Sequence, residues 1–481
     1  MFIKKDNIIY SYNPANKELL GSIPVTTDSE IENIVTQCRN AFDVWSKLSY
    51  QERGNRLKKL ATMIENKSNE FAILMTKEMG RPLSESLPEV SKSIKFIRSF
   101  ADKAEQMLSD FVISEVPEKD VRIICEPYGV VALIKPWNMP LQTPIWSMAP
   151  ALMAGNAIAF KPSENSLLVA KELEKIIVQC DFLPKGLVGF IYGDKEQGTT
   201  LLKNNIDMVS FTGSVKAGKE IAKQVADRFI KTSLELGGKD PMIVLDDANM
   251  DFAAMAAVWG STTNCGQFCS SIERVYVQDT IFEQFVQKAK EFCEKIKVGN
   301  GLDPTVEMGP VVNENQFKKV IEQIEDAVTK GAKVITGGGC YINGELAKGW
   351  FIQPTVITNL TNDMKIVQEE TFGPIVRILK FHSIDEAIDL ANDSQYGLGS
   401  SVITQNEEVA KYIASKIDTG MVWINEPLLS NEYCPWIARK NSGIGYELGE
   451  LGIREFVKLK IINSQFLNND VFRKWWYPYE Q

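Results

Sequence analysis

Histidine is almost absent from this 481-residue chain: His382 is the only one, in the alternating run Ile378-Leu379-Lys380-Phe381-His382, with no motif around it. A Ser-His or Cys-His catalytic pair is therefore a poor reading, and any general base has to be a carboxylate, a lysine or water. The same scarcity argues against a metal: Cys265 and Cys269 have no second Cys pair and no His close by in the sequence, so no metal site is expected. Basic runs are lacking too. The net charge of −9 is spread along the chain, which argues against nucleic acid or an anionic membrane surface as partner and for a small molecule. The eight cysteines (Cys38, Cys125, Cys180, Cys265, Cys269, Cys293, Cys340 and Cys434) form no small-domain framework, which fits a reducing cytoplasm. Met1 to Tyr10 carries Lys4, Lys5 and Asp6 and has neither the apolar core nor the cleavage site of a signal peptide. One long uncharged run exists, the 25 residues from Pro136 to Phe160. Four prolines (Pro136, Pro140, Pro144 and Pro150) interrupt it, with Asn138, Gln142, Gly155 and Asn156, so it reads as a buried loop and a short helix rather than a membrane span.

With 44% apolar and 24% charged residues the chain is an ordinary globular one, too long for a single core. Residues 28 to 80 repeat apolar side chains at three- and four-residue spacing, as in Ile31, Ile34, Val35 and Cys38, with Asp28 as a candidate N-cap and Gly80 with Pro82 as a stop. From Gly129 onward short β-rich runs alternate with helical stretches: Gly129 to Ile134, Ala157 to Lys161, Leu187 to Ile191, Met208 to Phe211 and Met242 to Leu245. A second series follows, with strands at Arg274 to Gln278, Ile375 to Phe381, Ser400 to Thr404 and Met421 to Ile424 and helices at Phe282 to Lys297 and Asn315 to Lys330. This pattern indicates α/β architecture with parallel βαβ units in two doubly wound domains. Residues 1–107 with 125–239 would form the dinucleotide-binding domain and 240–445 the catalytic one. Residues 108–124 with 446–481 would form a small β oligomerisation arm and tail, with a strand pair around Pro117-Glu118 meeting Val457 to Ile462.

Three short stretches carry reactive groups in Gly- or Pro-marked turns. Cys269 follows Gly266-Gln267-Phe268 and precedes Ser270-Ser271; an arbitrary cysteine packs in a core, but these small polar flanks suit a nucleophile exposed in a cleft. Glu235 sits in Leu234-Glu235-Leu236-Gly237-Gly238-Lys239, where it is either a solvated charge or a desolvated, water-activating base. Asn138, in Pro136-Trp137-Asn138, either stabilises a turn or presents its amide to a developing oxyanion. Phe211-Thr212-Gly213-Ser214 places backbone N–H groups at a helix N-terminus, as a pyrophosphate needs. Gly443-Ile444-Gly445 imitates a dinucleotide fingerprint, but Gly449 comes one residue too late.

In order and spacing these motifs resemble the aldehyde dehydrogenase superfamily over nearly the whole chain, including the 34-residue interval from Glu235 to Cys269. The resemblance implies that Cys269 is the nucleophile, Glu235 the base, and Asn138 with the Cys269 N–H the oxyanion hole. It places Pro136, Trp137, Lys161, Ser163, Glu164, Gly213, Ser214, Glu370 and Phe372 at the cofactor, with the Glu164 carboxylate favouring NAD over NADP. The aldehyde tunnel would comprise Met139, Gln142, Thr143, Trp146, Phe268, Leu429, Ser430 and Trp436. A homodimer or homotetramer is implied. Relatives that pass the acyl group to coenzyme A tend to lack this glutamate, so hydrolysis to the acid is expected.

Two departures stand out. Ile437 and Ala438 occupy the place of a usual Gly pair. Ser147 stands where many relatives have a lysine able to pair with the glutamate matching Glu447, which puts a Lys-Glu proton relay in question. For the substrate, Trp146 and Trp436 match aromatic positions of betaine-aldehyde relatives, with Glu426 and Glu432 nearby for an amino-aldehyde. Thr76 to Pro82 resembles bacterial succinate-semialdehyde enzymes, although the arginine these often place at position 146 is missing. A thiol esterase or acyl transferase without redox chemistry, and a non-catalytic structural protein on this scaffold, are the readings from other classes.

Overall fold

Pentads apolar at four or all five positions become strands buried on both faces, Val130–Ile134 and Ala157–Lys161 above all. The computed structural model describes residues 1–113, 120–427 and 430–464. Its six-stranded sheet runs Gly443–Ile444, Lys231–Glu235, Met208–Thr212, Val130–Ile134, Ala157–Lys161, Val188–Phe190. All neighbours are parallel except the Gly443–Ile444 edge. The chain starts this sheet in the middle, builds one side through Ala157–Lys161, then crosses to Met208–Thr212. The crevice outside the carboxyl ends at such a reversal is where α/β sheets take ligands.

The seven-stranded sheet runs Lys333–Thr336, Thr355–Thr358, Ile375–Phe381, Ile272–Gln278, Asp240–Val244, Gly399–Ile403, Met421–Ile424, parallel but for its first edge. Two α/β sheets were expected, and each has its own apolar core. A third sheet pairs Asp120–Pro127 antiparallel with both Phe111–Ile113 and Val457–Ser464, the strand partners anticipated from sequence; Pro117-Glu118 and residues 465–481 lie outside the described residues.

Several elements differ from expectation. The cap of helix Asp28–Trp45 is Thr27, not Asp28: the Thr27 hydroxyl accepts from the Glu30 N–H and the Glu30 carboxylate accepts from the Thr27 N–H at 2.7 Å, a capping box. Gly80 and Pro82 do end one helix, Ser68–Met79, but the chain restarts at once as Leu83–Met107, 25 residues long. Pro88 lies inside this helix and cannot donate to the Ser84 carbonyl, a defect placed beside the cavity described below. The N-terminal sheet Phe2–Lys5, Ile8–Tyr12, Leu19–Pro24 was not anticipated. The uncharged run resolves into a loop and the fully buried 13-residue helix Gln142–Ala154, and among the described residues no helix is long and apolar enough to cross a membrane.

Candidate active site

A cavity of about 450 Å³ lies outside the carboxyl ends of Val130–Ile134, Met208–Thr212 and Lys231–Glu235, lined by the residues that follow each strand and by the loop preceding Ile272–Gln278. That loop owes its shape to three successive left-handed residues, Asn264, Cys265 and Gly266, at φ 48°, 57° and 71°. A Cβ on Gly266 would run into the Gly373 carbonyl, so glycine is required there. Gln267 fixes the next step: its backbone and side-chain N–H groups donate to the Asn264 carbonyl at 3.1 and 2.9 Å, and its Oε1 accepts from the Val312 N–H at 3.0 Å. Cys269 is thereby half-buried on the cavity wall, whereas Cys265, at 1% exposure, fills the role of the packed core cysteine.

Burial, followed by the carboxylates of Glu235, Asp240, Glu370 and Glu447, pushes the Cys269 thiol upward from its ordinary pKa, so the resting site holds a thiol. Alkylation of Cys269 by iodoacetamide in the free protein is expected to be slow at neutral pH and still rising above the ordinary value of 9.0. Glu235→Gln should accelerate it by removing one negative charge. Superimposable pH–rate curves for the two proteins would contradict this electrostatic picture.

Asn138 is buried where the loop leaves Val130–Ile134. Its Nδ2 donates to the Gln267 carbonyl at 3.0 Å while its own carbonyl accepts from Asn264 Nδ2 at 3.1 Å. One amide N–H is thus tied to the cysteine loop; among the described residues the other has no partner, and Asn138 lines the cavity.

Glu235 ends its strand opposite Thr212 on one side and Gly443 on the other. Gly443 serves close backbone approach: a Cβ there would run into the Leu234 carbonyl. Among the described residues neither carboxylate oxygen of Glu235 has a hydrogen-bond partner, although the residue is only 3% exposed. Desolvation, and then the neighbouring Glu447, raise its pKa well above the ordinary value, opposed by Lys135. Leu236 and Gly237 line the cavity; Glu235 itself is not among the lining residues, though its carboxylate is a charged neighbour of Cys269. The partner of Glu447 is Lys135, whose Nζ bonds Glu447 Oε1 and also donates to Thr212 Oγ1 at 2.8 Å; Ser147 Oγ donates to the same Glu447 oxygen at 2.7 Å. The ammonium missing at position 147 is therefore supplied from the strand end before Pro136.

On the other side of Cys269, Gly213 and Ser214 line the cavity at the N-terminus of helix Val215–Val225. Pro136 and Trp137 line it too, and Trp137 meets Phe372 edge to face, ring centroids 5.7 Å apart. Phe372 holds φ 60° because Gln316 Nε2 donates to its carbonyl at 2.7 Å and Glu273 accepts from its N–H at 2.8 Å. Lys239 Nζ donates to Glu273 at 2.5 Å and to the Glu369 carbonyl at 2.7 Å, joining the Glu235 loop to the Glu370 loop. Burial lifts the Glu370 carboxyl to about 7, and it accepts from the Gly238 N–H at 3.2 Å. Lys161, Ser163 and Glu164 are not brought into this cavity lining; they follow the adjacent strand, with Lys161 and Glu164 paired at 3.7 Å and Lys161 also donating to the Pro162 carbonyl at 2.9 Å.

The aldehyde dehydrogenase family model matches residues 2–462. The chain belongs to the aldehyde dehydrogenase family. Betaine aldehyde dehydrogenase of Bacillus subtilis is 35% identical over 95% of this chain and 94% of its own length. The mitochondrial succinate-semialdehyde dehydrogenase of Oryza sativa is 34% identical over 95% of this chain and 86% of its own. The crystal structure of betaine aldehyde dehydrogenase from Staphylococcus aureus in complex with NAD+ superposes with a TM-score of 0.93 at 35% identity, covering 98% of this chain and 95% of that one.

In this aldehyde dehydrogenase Met139, Gln142, Thr143, Trp146, Phe268, Ser430 and Trp436 all line the cavity; Leu429 lies outside the described residues. Trp146 packs against Phe96 and Trp436 at centroid distances of 5.7 and 5.4 Å. Despite the lost Gly pair, Trp436–Ile437 forms a regular antiparallel bridge with Tyr446–Glu447. Glu432 is buried and paired with Lys95 at 2.9 Å, while Glu426 is exposed. Sequence reasoning missed Arg81, Glu85, Glu89 and Lys92, on or just before helix Leu83–Met107, which form the far wall. Arg81 Nε donates to Glu85 at 3.2 Å and its Nη1 bonds Glu89. The Glu85 and Glu89 spacing is a helical i, i+4 signal, obscured by Pro82 and Pro88 around it.

Proposed function

We propose that this protein oxidises an aldehyde to the carboxylic acid through a thioester on Cys269, with NAD as cofactor. The observation that carries the reading is that Cys269 and Asn138 line one cavity while Glu235, buried and without a hydrogen-bond partner among the described residues, is the charged neighbour acting most strongly on that thiol, the three coming from separate parts of the chain. The donor set fits a dinucleotide: Gly213 and Ser214 offer a helix N-terminus for a pyrophosphate, and Glu370 and Glu164 offer acceptors for ribose hydroxyls. The Glu164 carboxylate would repel a 2′-phosphate, which favours NAD over NADP.

Cys269 Sγ attacks the aldehyde carbon as its proton passes to water in the cavity, and the oxygen gains charge towards Asn138 Nδ2 and the Cys269 N–H. NAD, when bound, accepts the hydride expelled as the adduct collapses. Glu235 then swings towards the thioester and takes a proton from water. The water oxygen bonds the acyl carbon, the C–S bond breaks, and Cys269 returns with the acid as product. Purified protein should reduce NAD in the presence of simple aldehydes and show a first-turnover burst of NADH. Glu235→Gln should keep the burst and lose steady turnover by about 10²–10⁴-fold; an unchanged steady rate would remove Glu235 from the base role. Ester cleavage indifferent to NAD, with no aldehyde oxidation, would support the thiol esterase instead.

For the substrate tail, the tunnel is aromatic and its carboxylates are spent. Glu85 accepts from Arg81, Thr263 and Asn264, and Glu89 from Arg81 and the Leu141 and Gln142 N–H groups. Lys92 is an exposed lining residue, and Trp146 Nε1 is buried without an acceptor among the described residues. This inventory favours a neutral or anionic tail, such as a semialdehyde, over a quaternary ammonium. Glutarate semialdehyde is expected to show a lower KM than betaine aldehyde, and the reverse order would overturn the tail assignment. The exposed apolar residues of the third sheet, Phe111, Val112, Leu459 and Ile461 among them, suit the proposed oligomerisation arm. All eight cysteines are free.

A further inference from the structure

Four groups bearing charge or acidic protons face Glu235, each from a different element. Glu447 comes from the short strand Tyr446–Glu447, Lys135 from the end of Val130–Ile134, Glu455 from the end of helix Gly449–Arg454, and Cys269 from the loop before Ile272–Gln278. Glu455 is paired with Lys231 at 3.0 Å. Glu447 has a more elaborate shell. Lys135 and Ser147 both bond its Oε1, Ser210 Oγ donates on to Ser147 Oγ at 3.2 Å, and Thr212, which lies opposite Glu235 in the sheet, accepts from Lys135. The Lys135 and Glu447 side chains are 0% and 3% exposed, so water screens neither.

We infer that Lys135, a residue with no assigned role, is a positioning residue for the hydrolytic half of the reaction: its ion pair with Glu447 leaves the base beside a neutral pair rather than beside an uncompensated carboxylate. The inference rests on the thioester reading above. Its physics is Coulombic. An unpaired Glu447 in this dry setting would hold a proton on Glu235, and a protonated carboxyl cannot take one from water. Lys135 is also attached to Thr212, in register with the base, so it fixes where Glu447 sits relative to Glu235. The site does not depend on which element delivers the ammonium, because Ser147 Oγ already reaches the oxygen that Lys135 bonds, at 2.7 Å.

The test separates the two half-reactions. In Lys135→Met the NADH burst should persist, while the acid limb of the steady-state pH profile moves up by about one pH unit, with hydrolysis roughly tenfold slower below it. Adding Ser147→Lys to Lys135→Met should move the limb back. Should Lys135→Met fail to fold, Glu447→Gln is compared with the double variant Lys135→Met/Glu447→Gln: Lys135 alone favours the ionised base, so the double variant's limb should lie at higher pH. A limb that coincides with wild type in Lys135→Met, or coincident limbs in that second pair, overturns the inference. Absence of any burst in the wild-type protein overturns the thioester reading instead.

Discussion

Cys269→Ala is expected to abolish aldehyde-dependent NAD reduction, by on the order of 10⁴-fold or more, with the fold unchanged. The size of the loss follows from the lack of a substitute. The other cysteine of the loop, Cys265, is 1% exposed and its thiol is driven upward by burial and Glu85. Ser270, the adjacent hydroxyl, has no histidine to activate it, since the only one, His382, is bonded to Asp279 at 2.9 Å on an exposed surface. The fold should survive because the loop is held by Asn264, Gly266, Gln267 and Ser271, none of which uses the Cys269 sulfur. Circular dichroism and retained NAD affinity would confirm an intact protein. A variant that kept even a hundredth of the rate would show that another nucleophile, or direct hydride transfer from a hydrated aldehyde, does the chemistry.

The parts of this protein legible in its sequence are those where local pattern and tertiary role coincide. Val130–Ile134 and Ala157–Lys161 are apolar at every position but Lys161, because parallel strands covered on both faces have no solvent side. The Cys269, Glu235 and Asn138 segments announce themselves through glycine and proline, which mark turns whatever the fold. What stayed hidden depends on partners distant in the chain. Lys135 precedes Pro136 as one more strand-end residue, and its partner Glu447 lies 312 positions away. Helix Leu83–Met107 was masked by Pro82 and Pro88, local breakers overridden by the packing of Val90, Ile94, Ile97 and Phe100. Left-handed Cys265 could not be foreseen, since nothing in its side chain asks for positive φ, whereas Asn264 is of a residue type that adopts it more readily. The resemblance also placed Lys161, Ser163 and Glu164 at the cofactor; they are not among the residues lining this cavity and follow or end the neighbouring strand.

Glu273→Ala is expected to be the most destabilising single change, about 3–5 kcal/mol, seen as a lowered urea midpoint with an unchanged slope. Glu273 is 3% exposed and accepts from Lys239 Nζ, from the Thr371 N–H at 3.0 Å and from the Phe372 N–H at 2.8 Å, with Arg377 Nη2 a further 3.4 Å away. Removing it strands two buried cations and two backbone donors together, which no rearrangement of a packed interior can bring to water. Against the cost of burial, Lys239, Arg377 and the Phe372 N–H hold its pKa down to about 2 from an ordinary 4.5. A depressed carboxylate pKa adds stability that is fully present above the unfolded value and is lost as pH falls towards the folded one. Wild type and Glu273→Ala should therefore draw together in stability as pH falls from about 4.5 to about 2. Because the same carboxylate ties the loop of Phe372 to Lys239, NAD affinity should fall with stability, even in the cold where the variant remains folded. A Glu273→Ala protein as stable as wild type at neutral pH would mean that Lys239 and Arg377 find other partners, and that the two loops are held together by something other than this pair.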